Sequence, residues 1–308
     1  MKKFIRNFAL FSVISISVLI GLVYRYADGT IDSFYLRFTT PPAKSLIIGS
    51  SRPAQGIQPH HLEKGLEDID YEGPFLNFSF TTENSPFGPY YYEAIKKKLN
   101  PKAKDGIFII GVDPWQFSVD QGNKNDPRRF READYAPGNM TFMSMDPNFE
   151  YLIKNFDGGF REIIRNRRDP YRRLHKNGWL QINIDTSSVD LKERMYDTAE
   201  SYIQMGNDRN FSTVRLDYLD KKIELFKKHG SVFLVLMPVS EAVREAEEIF
   251  IPNFSKMMEN LAGEKGVTYL DFTSYSNSYL YTDGHHLYKD DGARFSLLLA
   301  ERLKSHLE

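Results

Sequence analysis

In LYTDGHHLYKDDGARFS, residues 280–296, Asp283 stands three residues before His286 in a polar turn ahead of an amphipathic stretch. A carboxylate at that spacing can hold one imidazole nitrogen while the other faces outward. This arrangement makes a histidine the base for a hydroxyl nucleophile. A candidate hydroxyl lies far upstream. In LIIGSSRPAQGI, residues 46–57, an apolar run ends at Gly49 and is followed by Ser50, Ser51 and Arg52. A serine just past a strand end lies at the edge where α/β sheets collect their ligands. The chain has no cysteine, which excludes thiolate nucleophiles, disulfides and cysteine metal sites.

Plainer readings compete at each position. Ser51 could cap the helix that follows, Asp-Gly is a common turn, and His285 is read as lining that turn. His60 and His61 are adjacent, so they point in different directions, and no carboxylate sits at ligand spacing. No metal site is assigned to them.

The elements that must position these residues are legible as patterns. Runs apolar on both faces recur as SLIIGS (45–50), PFLNFSF (74–80), GIFIIGV (106–112), SVFLVLMP (231–238) and VTYLDF (267–272). Such runs suit buried parallel strands. Helical stripes fall between and after them. Leu216, Leu219, Ile223 and Phe226 share one face in 213–229, with Gly230 placed to end the helix; Phe295, Leu298, Leu299, Leu303 and Leu307 form another in 290–307. The alternation predicts an α/β fold, a three-layer α/β/α sandwich on a parallel five-stranded sheet. Strand VTYLDF would bring the Asp283–His286 turn to the sheet edge that carries Ser51. Residues from about 115 to 210 break the rhythm and read as a large insertion near the site, partly helical and without a clean strand pattern.

The N-terminus opens with Lys2, Lys3 and Arg6, and then runs from residue 8 to 24 without a charge. Roughly 17–25 apolar residues cross a bilayer. Arg25 and Tyr26 occupy the positions where a cleavage site needs small residues. Residues 1–27 therefore read as an uncleaved single-pass membrane anchor, and the basic flank places the remainder outside the cytoplasm. Residues 28–43, ending in Pro-Pro, read as a stalk, and 44–308 as one catalytic domain. A net charge of −1 and this placement argue against nucleic acid. The run REIIRNRRDPYRRLHK, 161–176, reads as a solvated face, or as a surface for an anionic polymer or lipid head groups.

The two blocks resemble those of the SGNH (GDSL-type) hydrolase superfamily, whose nucleophile follows the first strand in a Gly-Asp-Ser turn and whose Asp-x-x-His motif precedes the last helix. Here they read Gly49-Ser50-Ser51 and Asp283-Gly284-His285-His286. The Gly-Ser-Ser form and the anchor are similar to a membrane-anchored branch that includes the D-alanyl transfer protein of teichoic-acid modification and alginate O-acetylation proteins. The similarity spans about 44 to 308, with only these two blocks matching closely.

The resemblance implies a flavodoxin-like sheet, Ser51 as nucleophile, His286 as base, Asp283 as its orienting carboxylate, and no cofactor. It implies an oxyanion hole formed by the amides of Ser51 and Ser79. The third block usually ends in an asparagine; Asp113 stands there in IIGVDPW, and an ionised carboxylate would repel a developing oxyanion. Either Asp113 has another role, or Asn77 or Arg52 supplies the missing donor. The implied activity is that of an extracytoplasmic esterase or O-acyltransferase. Its substrates would be acyl or acetyl esters of an envelope glycan or lipid, and it would work beside a multi-spanning membrane O-acyltransferase. The alternative is a catalytically inactive SGNH-fold binding or assembly protein for an anionic envelope polymer, with the basic run as its working surface.

Overall fold

The computed structural model describes residues 1–80, 85–156, 159–165, 168–184 and 190–307. Its strands are β1 (Ser45–Ile48), β2 (Phe75–Asn77), β3 (Gly106–Val112), β4 (Ser118–Asp120), β5 (Arg172–Leu174), β6 (Leu180–Ile182), β7 (Arg209–Phe211), β8 (Gly230–Leu236) and β9 (Thr268–Asp271). The first six helices are α1 (Lys2–Tyr26), α2 (Ser51–Gly56), α3 (Pro59–Gly65), α4 (Pro89–Lys98), α5 (Ala136–Asn139) and α6 (Phe149–Lys154). The rest are α7 (Gly159–Arg165), α8 (Leu191–Asn207), α9 (Thr213–Phe226), α10 (Glu241–Phe250), α11 (Phe254–Lys265) and α12 (Lys289–Leu307).

The five apolar runs form one sheet in the order β2-β1-β3-β8-β9, and every pairing in it is parallel. Successive side chains of a strand face opposite sides, and both sides are buried here. Leu46, Ile48, Phe108, Ile110 and Leu234 join a core with Ile95 of α4, Ile223 of α9 and Met258 of α11. Ile47, Ile107, Ile109 and Val235 join a second core with Leu62 of α3 and Phe295, Leu299 and Leu303 of α12. The strand order reverses between β1 and β3. The carboxyl ends of these two strands are the position where such sheets bind ligands.

Three expectations are corrected. Gly230 does not end α9, which stops at Phe226. It opens β8 at φ 151°, lying so close to the carbonyl of Gly106 that a Cβ would collide with it. The segment 115–210 does contain strands, as two antiparallel pairs, β4–β7 and β5–β6. Each strand has three residues, too few for an alternation to show. Its Met140, Tyr151, Leu152 and Leu174 share the α9-side core.

Residues 28–43 are no stalk either. Ile31, Tyr35, Leu36 and Phe38 are buried. The carboxylate of Asp32 accepts from the amides of Phe34 and Tyr35 and from the hydroxyl of Tyr151. Arg37, fully buried, donates to the carbonyls of Asn77 and Gly178. Helix α1 is long and apolar enough to cross a membrane. Most of it stands free of the body, but Val23 and Ala27 at its end are built into the core.

Candidate active site

Strand β1 delivers the chain to Gly49, where the helix α2 must come down tightly on the sheet. The Pro53 ring packs against Gly49 and Gly111, and a Cβ at either glycine would collide with it. Ser50, not Ser51, caps α2: its hydroxyl accepts from the Arg52 amide and donates to Oδ2 of Asp113 at 2.7 Å. Ser51 is thereby left at the first helical position with its own hydroxyl free for another partner. The amide of Asn77 holds the helix from below, donating to the carbonyls of Pro53 (2.7 Å) and Ile57 (2.9 Å).

The second half of the site is the turn between β9 and α12. Gly284 adopts φ 93°, a conformation glycine enters at little cost, and its carbonyl accepts from the Ser240 amide at 2.6 Å. With the turn so fixed, Oδ1 of Asp283 accepts from the backbone amides of His285 (3.2 Å) and His286 (3.0 Å). Oδ2 lies 2.7 Å from Nδ1 of His286, and Nε2 of that ring lies 2.7 Å from Oγ of Ser51. Ser51, His286 and Asp283 are thus brought together in one hydrogen-bonded line.

Burial alone would raise the Asp283 carboxyl, but His286 by charge and hydrogen bond, His285, and the His286 amide outweigh it. Asp283 is held well below the ordinary carboxylate range. An ionised Asp283 makes Nδ1 the protonated nitrogen, which leaves the Nε2 lone pair to receive the Ser51 proton. Burial, with the neighbouring His286, pushes His285 well below an ordinary imidazole. It is a neutral ring packed 3.8 Å from His286 and 5.3 Å from Tyr202 between centroids.

The other expected site residues have different roles. Asp113 is not aimed at an oxyanion; its carboxylate takes the Ser50 hydroxyl and the Gln116 amide. Neither proton of the Asn77 amide is available, since both go to the carbonyls above. The Ser79 amide donates to Oδ1 of Asn77 at 3.2 Å, so it too is engaged. Arg52, 3% exposed, forms a buried ion pair with Glu247 of α10. The opposing carboxylate keeps it a cation against the cost of burial. Among the described residues nothing accepts from the Ser51 amide, which lies beside that residue's own Oγ.

Sequence reasoning missed the wall behind the triad: Glu247, Tyr202 and Trp115, whose indole stacks on Phe250 at 4.5 Å and packs against Tyr202 at 4.6 Å. Glu247 sits among other glutamates in EAVREAEEIF, and nothing in that string sets it apart. Among the described residues, one group could hold a metal ion: Asp283, His285 and His286, whose ligand atoms lie within 4.8 Å of one another. Two of these three are already spent on the hydrogen-bonded line, so a metal there would compete with it. No protein-family model matches this chain, and no curated protein matches it either.

Proposed function

We propose that this chain is a membrane-anchored, extracytoplasmic serine esterase or O-acyltransferase of the SGNH type, acting on acyl esters of an envelope glycan or lipid. The observation that carries the reading is the line Ser51–His286–Asp283, with both links at 2.7 Å. A parallel sheet with helices packed on both faces supports the three-layer sandwich of that superfamily. Val23 and Ala27, built into the core, support retention of α1 as an anchor.

In this mechanism Oγ of Ser51 attacks the acyl carbonyl carbon as its proton passes to Nε2 of His286. Negative charge gathers on the carbonyl oxygen and is met by the Ser51 amide. The ester C–O bond then breaks, the leaving alcohol takes the proton from Nε2, and an acyl-Ser51 ester remains. In the second half His286 deprotonates the acceptor, which attacks the acyl-serine, and the proton returns to Ser51. Asp283 stabilises the imidazolium that forms in each half. Water as acceptor gives hydrolysis and a sugar hydroxyl gives transfer. By its resemblance to the anchored branch, transfer beside a multi-spanning membrane O-acyltransferase is the preferred form.

The test is release of p-nitrophenol from p-nitrophenyl acetate by the full chain. Turnover that disappears in His286→Ala supports the reading. A folded protein whose rate equals that of His286→Ala leaves the binding-protein alternative.

A further inference from the structure

The basic run 161–176 has no part in the chemistry above, and the structure places its described residues, 161–165 and 168–176, at the end of α1. Helix α7 packs against α1, and Arg168 pairs with Asp28 at 3.2 Å and lies over the Tyr26 ring. Between the end of α1 and the β5–β6 hairpin is a cleft of about 500 Å³, whose walls include Tyr24, Ala27, Leu36, Asp146, Arg173 and Lys176.

The charges in this cleft are unevenly used. Asp28 also faces it, but its carboxylate is taken by Arg168 and Thr30, and the His175 ring is hydrogen-bonded to Gln181 at 2.8 Å. Arg173 and Lys176 are exposed and have no carboxylate partner among the described residues, and Asp146 is exposed with no cationic one. Two cations and one carboxylate are left to answer a ligand. A phosphodiester anion bearing an ammonium group matches that set, because arginine and lysine are phosphate donors and a carboxylate accepts from an ammonium. The apolar side chains of Ala27 and Leu36 suit the first carbons of a glycerolipid.

The height is also right. As a helix, the uncharged run of residues 8–24 rises about 25 Å, near the roughly 30 Å of a bilayer's hydrocarbon core. Tyr24 therefore reaches the head-group layer, and the cleft begins there. We propose that this cleft binds the head group of an aminophospholipid, with its phosphate on Arg173 and Lys176 and its ammonium on Asp146. The proposal rests on the reading of α1 as a membrane anchor. It has a structural consequence for the site. The hairpin is tied to the chain after α1 by the Leu174 amide on the Gly29 carbonyl (2.7 Å), and to α2 by the Trp179 indole on the Gln55 carbonyl (2.8 Å). A lipid held in the cleft would thus orient the helix that begins with Ser51.

The test is native mass spectrometry of the full chain in detergent, titrated with phosphatidylethanolamine, phosphatidylglycerol and phosphatidylcholine of the same acyl chains. Phosphatidylethanolamine is expected to be retained about tenfold better than phosphatidylcholine. Arg173→Gln/Lys176→Gln should lose that preference, Arg173→Lys/Lys176→Arg should keep it, and Asp146→Asn should shift it toward phosphatidylglycerol. Equal retention of the three lipids, a wild-type preference for phosphatidylglycerol, or equal binding of soluble glycerophosphoethanolamine would overturn the proposal. Alkaline carbonate extraction of membranes separates the two claims. Release of the chain defeats the anchor reading; a chain that stays in the membrane but shows no lipid preference defeats the cleft alone.

Discussion

The hydroxyl of Ser51 and Nε2 of His286 lie 2.7 Å apart although 235 positions separate them in the chain. They meet because β1 and β9, both parallel members of one sheet, end at the same edge. The loops that follow are each pinned there, one by Ser50 on Asp113 and the other by Gly284 on Ser240.

Replacing members of the line should cost activity without unfolding the protein. Ser51→Ala and His286→Ala are expected to lower kcat by about 10⁴-fold or more, and Asp283→Asn by about 10⁴-fold through the wrong imidazole tautomer. The double variant Ser51→Ala/His286→Ala should be no slower than either single one, since the residues act as a unit. Steady-state esterase assays on variants with wild-type circular dichroism check this.

Acid should reveal the depressed carboxyl of Asp283. A group whose folded value lies below its unfolded one, about 3.9 for aspartate, contributes stability that is fully present above the unfolded value. That contribution is lost as pH falls toward the folded value. The stability gap between wild type and Asp283→Asn, measured by urea unfolding, should narrow as pH falls below about 4. A gap that widens below that pH would contradict the assignment.

The buried pair of Arg52 and Glu247 should matter to folding. Removing one partner of such a pair leaves an uncompensated charge and costs about 3–5 kcal/mol. Glu247→Ala is expected to lower stability by that amount and to reduce kcat as well, because Arg52 follows Ser51 directly on α2. Paired replacement by apolar residues, Arg52→Met/Glu247→Leu, should recover most of the stability. Urea unfolding and esterase assays of the two variants check it.

Zinc should inhibit. The nitrogens of His285 and His286 and the carboxylate of Asp283 suit that ion, yet binding it breaks the hydrogen bonds that join His286 to Asp283 and Ser51. Esterase activity is expected to fall with added zinc and to return on chelation, with His285→Gln less sensitive. Activation by zinc would point to metal chemistry instead.

The parts legible from sequence are those with long, unambiguous patterns. GIFIIGV and SVFLVLMP are buried on both faces and read as strands within a residue or two of β3 and β8. The Asp283–His286 turn was legible because three residues of spacing set its geometry locally. The role of residues 28–43 was not. Their buried face lies on a short 3-10 turn, Tyr35–Phe38, and includes Arg37, whose charge suggests solvent. Nor could sequence show that Ser79 and Asn77 bond to each other, or that Asp113 serves Ser50. These depend on which of several polar groups at one sheet edge reach one another, and that is decided by packing of the intervening segments.

The most direct test is covalent. The full chain is treated with a fluorophosphonate probe and digested, and the modified peptide is sequenced by mass spectrometry. A single adduct on Ser51, absent from Ser51→Ala and from His286→Ala, is the predicted result. No adduct on a folded wild-type protein, or an adduct on another serine, would contradict the account.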